Sequence, residues 1–188
     1  MKWSFGLTIM WTGIFILAVL FFVDNTDIME ITENPFQPEV SAEEIIALNG
    51  LHPSVEEKRD RLVRRAGARG IDIVITEEYR TNEEQEELYA QGRSEPGEVV
   101  TSARGGQSYH NYGLAFDFAV LDENGEIHWD TERDGNNSGT SDYREVGEIG
   151  KDLGLEWGGD WQGFRDYPHF QQSYGWNISD LQRAEDAL

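Results

Sequence analysis

The sequence predicts an α+β domain in which helices pack around a small antiparallel sheet. Residues 71–76 and 113–121 alternate apolar side chains with small or polar ones, as strands do, and charged segments of helical character lie between and after them. The pair Asn124-Gly125 is typical of a tight hairpin turn between antiparallel strands. Residues 41–188 are long enough for one such domain.

An uncharged segment precedes this domain. Residues 5–23 contain no charged side chain, and a helix of that length just spans a hydrocarbon core of about 30 Å. A cleaved signal peptide is the alternative, but the segment ends in Leu20-Phe-Phe-Val-Asp24, without a small-x-small cleavage site. We therefore predict a transmembrane signal anchor over residues 1–23 and an acidic tether over residues 24–40.

The charge pattern bears on location and partners. Lys2 before the apolar segment favours a cytoplasmic start, which predicts a single-pass protein in the cell membrane with its domain outside. The chain has 36 acidic and 15 basic residues, for a net charge of −21, which argues against nucleic acid as a partner. It has no cysteine, which excludes disulfides, a thiolate metal site and a cysteine nucleophile.

Capping signals predict the helices of the first half. Ser41 can cap a short helix, and the capping box Ser54-Val-Glu-Glu57 predicts a helix that ends near residue 66. After the strand at residues 71–76, Thr81 is predicted to start a helix that runs to about Gln91 and stops at Gly92. Residues 94–107 are rich in glycine and small polar side chains, which predicts a loop.

The strand at residues 113–121 has two different faces. Its even-numbered positions are large and apolar, whereas the other face carries Asp117 between Ala115 and Ala119. Small neighbours leave space above a lone carboxylate. A strand face that is merely solvated rarely has alanines on both sides of a single aspartate. Gly113 permits a sharp turn from His110 into the strand.

Three more elements follow the hairpin. Residues 142–153 predict a helix because Val146, Ile149 and Leu153 recur at helical spacing. Residues 169–171 are predicted to form a short strand beside the strand of Asp117, and a surface helix is predicted from Asn177. Between them, residues 156–164 place aromatic side chains among glycines, which fits either a groove wall or ordinary core aromatics.

Two histidines and two aspartates form a candidate metal site. Two histidines and an aspartate are ligand types that hold a catalytic zinc, and a further carboxylate can handle the proton of a water molecule. We predict that His110, Asp117 and His169 bind the metal and that Asp166 is the general base. Taken singly, each has an ordinary alternative: a structural histidine, or an aspartate that serves a turn before Pro168.

The motifs around these residues resemble a known family. The pattern Ser108-x-His110-x-x-Gly113-x-Ala115-x-Asp117, followed by Asp166-x-x-His169-Phe170, resembles the zinc peptidases that cut peptidoglycan stem peptides. These include D-alanyl-D-alanine carboxypeptidases and L-alanyl-D-glutamate endopeptidases of the endolysin type. The resemblance extends over Leu51 to Gln171. The carboxypeptidase branch typically has glutamate three residues before the last histidine, so Asp166 looks more like the endopeptidase branch.

The resemblance implies roles for further residues. Arg80 aligns with an arginine suited to steady a polarised carbonyl or a substrate carboxylate, although spacing alone fits a surface arginine paired with a nearby glutamate equally well. Gln85 is a candidate substrate contact or an ordinary helix-surface residue. Ser108 is a candidate donor to substrate, a group that fixes His110, or a simple turn hydroxyl. Trp161 is the candidate groove wall.

The predicted function is zinc-dependent hydrolysis of the peptidoglycan stem peptide at the L-alanyl-D-glutamate bond by a monomer. D-alanyl-D-alanine carboxypeptidase activity is the first alternative. A catalytically silent zinc-binding wall or signalling module is the second, and the intact Asp166 argues against it. A calcium-stabilised surface adhesin is a third alternative, and only the acidic composition supports it. The ligand set also accommodates divalent ions other than zinc.

Overall fold

A five-stranded antiparallel sheet with short helices around it forms the part of the chain that the computed structural model describes, residues 39–188. The helices are α1 (Ala42–Ile46), α2 (Pro53–Gly67), α3 (Asn82–Ala90), α4 (Asp142–Asp152) and α5 (Ile178–Glu185). The strands are β1 (Ile73–Glu77), β2 (Ala115–Leu121), β3 (Ile127–His128), β4 (Glu156–Trp157) and β5 (His169–Gln171). The prediction of an α+β fold with a small antiparallel sheet is confirmed.

Strand β2 is the centre of the sheet. The strand order is β1-β2-β5-β4, and β3 pairs with β2 through the predicted Asn124-Gly125 hairpin. In the β2–β5 pairing, Asp117 lies opposite His169 and Phe116 opposite Phe170. Residues paired across antiparallel strands point to the same face, so this register places Asp117 beside His169.

The apolar face of β2 and β5 is the floor of the main core. Phe118 stacks on Phe170 with ring centroids 5.4 Å apart, and Phe116 lies 5.6 Å from Phe170. Helices α2 and α4 cover these rings with buried aliphatic side chains: Val55, Leu62, Val146, Ile149 and Leu153. The burial of apolar surface in this cluster stabilises the pairing of β2 with β5.

A second cluster joins the two ends of the described chain. Ile45 of α1 and Leu181 of α5 are fully buried against Leu114 and Tyr112, which lie directly before β2. The Trp176 indole N–H donates to the Val40 carbonyl at 2.9 Å. This cluster therefore supports the segment that leads into β2.

Of the three helix caps predicted in the first half of the domain, two are correct and one is wrong. Ser41 caps α1, and Thr81 caps α3 with a complete capping box. The predicted box at Ser54 is absent: α2 begins at Pro53, and the His52 ring accepts the Ser54 N–H at 3.3 Å. Proline is favoured at the first helical position because it has no N–H to satisfy, which makes the residue before it the cap.

The prediction of a membrane-spanning helix before the domain is corrected here. Among the described residues, none of the helices is long and apolar enough to cross a membrane. The longest, α2, has 15 residues and carries charged side chains along its length, whereas a span needs about 20 mostly apolar residues. The single-pass location with an external catalytic domain is therefore unsupported. Residues 1–23 and the predicted tether, up to residue 38, lie outside the described residues.

Candidate active site

Three of the predicted site residues meet where β2 and β5 pair. One ligand atom from each of His110, Asp117 and His169 lies within 4.8 Å of the other two. Asp117 Oδ1 is 3.0 Å from His169 Nδ1 and 3.4 Å from His110 Nε2, and the two ring nitrogens are 3.3 Å apart. Both histidines are buried and Asp117 is partly exposed, so the group is open on the side of the carboxylate.

His110 lies on a single 3-10 turn, Tyr109–Tyr112, that hydrogen bonds hold in place. The Ser108 hydroxyl accepts the His110 backbone N–H at 3.3 Å. The His110 Nδ1–H donates to the Glu78 carbonyl at 2.6 Å, which leaves Nε2 free to act as a ligand. Gly113 ends the turn with φ of +64°, and a Cβ there would lie 2.0 Å from the Gly50 carbonyl oxygen, so this turn requires glycine.

Asp117 is held as a carboxylate. Burial acts to raise the pKa of Asp117, but hydrogen bonds and charge from His110 and His169 outweigh it and hold the pKa well below its usual range. Ala115 and Ala119 flank it on the same face and are fully buried. An ionised, partly buried carboxylate beside two imidazoles is a donor set that suits a divalent metal ion.

Asp166 lies in the turn directly before β5. Its backbone N–H donates to the Gly158 carbonyl at 3.0 Å, and its own carbonyl accepts the His169 N–H at 3.3 Å. Burial raises the pKa of Asp166; the charge of His169 opposes this rise, and that of Asp117 adds to it. The two carboxylates are thus shifted in opposite directions, the pattern expected when one is a ligand and the other exchanges protons.

The polypeptide approaches Asp166 closely at Gly158. A Cβ at Gly158 would lie 2.5 Å from the Asp166 carbonyl oxygen and 3.2 Å from the His169 Cβ. The missing side chain lets the turn that carries Asp166 pack directly on the segment after β4. Sequence reasoning did not single out this glycine, since several glycines lie in the same segment.

Arg80 joins the site through its backbone and through Glu77. Its N–H donates to the His110 carbonyl at 3.1 Å. Its guanidinium binds Glu77 at 3.0 Å, and Glu77 is the cross-strand partner of Asp117. The predicted alternative, pairing with a nearby glutamate, is therefore part of the structure, and it places Arg80 beside the candidate metal site.

Gln85 lies beneath Arg80 rather than on a surface. Its side chain is fully buried; its Oε1 accepts from Arg80 at 2.7 Å, and its amide donates to the Ala103 carbonyl at 2.8 Å. Both ends of the amide are used within the protein. In this position Gln85 links Arg80 to the loop at residues 94–107.

The aromatic segment after β4 divides into core and rim. Trp157 is buried, and its indole N–H donates to the Tyr167 carbonyl at 2.9 Å. Trp161 is 36% exposed, and its ring centroid lies 5.1 Å from that of His169. Phe164 is 72% exposed. The core alternative is therefore confirmed for Trp157, whereas Trp161 lies at the edge of the site, where its role as a groove wall stays a prediction.

Two polar residues behind His169 were not foreseen. His169 Nε2 lies 3.1 Å from Gln171 Oε1, and the Gln171 amide donates to Glu156 at 2.9 Å. Gln171 follows His169 by two positions, so strand alternation alone would have placed it on the same face. Glu156 reaches it only through the pairing of β4 with β5.

The site has relatives among known proteins. A family described as D-alanyl-D-alanine carboxypeptidase matches residues 101–172. The peptidoglycan L-alanyl-D-glutamate endopeptidase CwlK of Bacillus subtilis (strain 168) is 48% identical over 156 residues, which cover 83% of this chain and 92% of that protein. The L-alanyl-D-glutamate peptidase of Listeria phage A118 is 31% identical over 127 residues, 68% of this chain and 40% of the phage protein.

A solved structure shares the fold. The crystal structure of DacB from Streptococcus pneumoniae D39 matches with a TM-score of 0.50 and 20% identity, over 74% of each chain. At this identity the likeness concerns the fold alone.

Proposed function

The chain belongs to the family of D-alanyl-D-alanine carboxypeptidases and L-alanyl-D-glutamate endopeptidases that act on peptidoglycan, and from this premise we propose that it cleaves the L-alanyl-D-glutamate bond of the stem peptide with zinc. The observation that carries the proposal is the convergence of His110, Asp117 and His169 on one point, with Asp166 in the turn that leads to His169.

The choice of bond rests on two supports. CwlK, whose name specifies the L-alanyl-D-glutamate bond, is aligned over 92% of its length, so the comparison includes nearly all of that protein. The acidic residue three positions before His169 is aspartate, which looks more like the endopeptidase branch.

The three ligands fit zinc by chemistry and position. Each histidine has one ring nitrogen bound to a protein oxygen, and its other nitrogen faces Asp117 Oδ1. Two imidazoles and one carboxylate leave a fourth position open, as in catalytic zinc sites. When bound, zinc would supply Lewis-acid chemistry, lowering the pKa of water and polarising the peptide carbonyl.

Asp166 is the group that we propose moves the proton. Burial raises the pKa of Asp166, which suits a carboxylate that must take a proton from the attacking water and return it. The peptide bond then breaks as Asp166 delivers this proton to the leaving amine of D-glutamate. Arg80, next to the turn of His110, would donate to the carbonyl oxygen as negative charge develops there.

The remaining predicted residues have supporting roles in this proposal. Trp161 lines the edge of the site, where an extended stem peptide would lie. The Ser108 hydroxyl caps the turn that carries His110, and the Gln85 side chain accepts a hydrogen bond from Arg80. We assign direct substrate contact to Trp161 and positioning to the other two.

The test is product analysis with the full chain. The zinc-loaded protein is incubated with purified muropeptides, and the products are identified by mass spectrometry. Release of a peptide that begins with D-glutamate is the expected result. Chelator-treated protein should be inactive and should regain cleavage when zinc is added.

Two results would contradict the proposal. Loss of a terminal D-alanine alone would move the protein to the carboxypeptidase activity, since the family contains both. Absence of any cleavage despite bound zinc would favour the catalytically silent binding module.

A further inference from the structure

A row of four hydrogen-bonded polar side chains begins at the candidate metal site: His169, Gln171, Glu156 and Ser173. His169 Nε2 is 3.1 Å from Gln171 Oε1, and Gln171 Nε2 is 2.9 Å from Glu156 Oε2. The other carboxylate oxygen of Glu156 accepts from the Ser173 backbone N–H at 3.1 Å and from its hydroxyl at 2.5 Å. His169 and Gln171 are both buried.

The pairing register of the sheet brings these side chains together. Gln171 pairs with Glu156 of β4 on one side and with Ala115 of β2 on the other. The small Ala115 side chain leaves space for the Gln171 amide on the face that carries His169. No residue of the row other than His169 is among the proposed ligands.

Charge fixes the direction of each hydrogen bond in the row. An ionised carboxylate only accepts, so Glu156 requires the NH₂ group of Gln171 on its side. The Gln171 carbonyl oxygen must then face His169. Because that oxygen also only accepts, His169 must carry its hydrogen on Nε2.

We propose that Gln171, oriented by Glu156, is a positioning residue that sets the His169 tautomer. With a hydrogen kept on Nε2, Nδ1 is the nitrogen that can bind the proposed metal, and it faces Asp117 and His110. His110 is fixed in the opposite sense, since its Nδ1–H donates to the Glu78 carbonyl and its Nε2 is free. The two ligands thus use different nitrogens, each chosen by its outer partner. This inference rests on the proposed metal site.

The first experiment compares Gln171→Leu with Gln172→Leu in the full chain. The two residues are adjacent, and the Gln172 side chain accepts instead from Lys58, away from the site. Zinc affinity is measured by competition with a chromophoric chelator, and circular dichroism checks folding. We expect Gln171→Leu to bind zinc about 10- to 100-fold more weakly, as outer partners of ligands typically do, and Gln172→Leu to match the wild type.

The second experiment reads the tautomer itself. In zinc-bound protein with ¹⁵N-labelled histidine, ring-nitrogen shifts should identify His169 as protonated on Nε2 and His110 as protonated on Nδ1. In Glu156→Gln, which no longer dictates the direction of the Gln171 amide, we expect zinc affinity to fall, but by less than in Gln171→Leu. This second variant keeps the test valid if Gln171→Leu does not fold.

The outcomes separate this inference from the proposed function. A zinc-bound wild type in which His169 carries its hydrogen on Nδ1, or zinc affinity in folded Gln171→Leu equal to that of Gln172→Leu, would overturn it. If wild-type protein binds zinc with the expected tautomers but cleaves no muropeptide, the proposed function fails while this inference stands.

Discussion

The two faces of the β2–β5 strand pair are made by the same few residues in alternation, yet they are held in different ways. One face presents Phe116, Phe118 and Phe170 to the helices, and each ring has several apolar neighbours. The other face presents Asp117 and His169, each fixed by specific hydrogen bonds. Packing on the first face is shared among many side chains, whereas each polar group on the second has two or three polar partners.

This difference indicates that the two faces have separate roles, one in stability and the other in activity. The apolar face is expected to determine how stable the pair is, because buried area is additive and non-directional. The polar face is expected to determine activity, because ligand geometry depends on single groups. The two kinds of measurement should therefore respond to different substitutions.

The largest expected effect is loss of the proposed metal ligands. His110→Ala and His169→Ala should each reduce zinc affinity by more than about 100-fold, the upper end for an outer partner, and should reduce cleavage to background. Zinc content by mass spectrometry and muropeptide cleavage measure this. His128→Ala is the matched control, since His128 lies in β3 outside the cluster, and it should retain both.

Substitution on the apolar face should act on stability instead. Phe170 is fully buried between Phe116 and Phe118, so Phe170→Ala should lower the free energy of unfolding by about 3–5 kcal/mol. Denaturant titration measures this, and the exposed Phe164→Ala should change it by less than about 0.5 kcal/mol. Equal effects of the two variants would contradict the assignment of the core.

Gly158 tests how accurately Asp166 must be placed. In Gly158→Ala, the new methyl group would displace the Asp166 turn, and a shift of about 1 Å can cost about 100-fold in rate. We expect kcat/KM to fall by about that factor while zinc content is retained. Gly67→Ala serves as the control, since a Cβ there would have only ordinary contact with the Asp72 side chain, at 3.9 Å. Unchanged kinetics in Gly158→Ala would show that the turn adapts.

The smallest expected effect concerns the His52 cap of α2. Burial lowers the pKa of His52, against a weaker opposing effect of Glu44, so the folded state binds its proton less readily than the unfolded state. Its contribution to stability is complete above the ordinary pKa of 6.5 and is lost as the pH falls below it, since a protonated ring no longer accepts the Ser54 N–H.

His52→Asn keeps a side chain that can cap the helix but does not titrate in this range. The difference in free energy of unfolding between the wild type and His52→Asn should therefore shift in favour of the variant as the pH falls from 7 toward 5. If this difference does not change with pH, protonation of His52 does not affect the stability of the fold, and the prediction is wrong.

Local patterns predicted the parts of the site that depend on neighbouring residues. Alternation around Asp117 correctly predicted its position between two small alanines on one face, and residues 169–171 were correctly predicted as a strand, with Asp166 in the turn directly before it. Capping residues predicted helices α1 and α3. These features depend on the order of residues over one or two turns.

Contacts between elements that are far apart in the sequence could not be predicted from local patterns. Glu156 meets Gln171 only because β4 pairs with β5, and Gln85 is buried in an otherwise polar helix because Arg80 and the loop carbonyl of Ala103 satisfy its amide. The aromatic segment has no period, so its division between Trp157 and Trp161 could not be predicted. An apolar segment alone also led to the membrane prediction, which the described helices do not support.

The central claim is that the three ligands bind zinc and Asp166 moves the proton. Zinc content and muropeptide cleavage measured on one preparation of full-length Asp166→Asn test it most directly, with Asp160→Asn, an exposed aspartate paired with Lys151, as the control. We predict one zinc per chain in both variants and a loss of cleavage of about 100- to 10,000-fold in Asp166→Asn alone. Loss of zinc together with activity, or cleavage at the wild-type rate, would contradict the account.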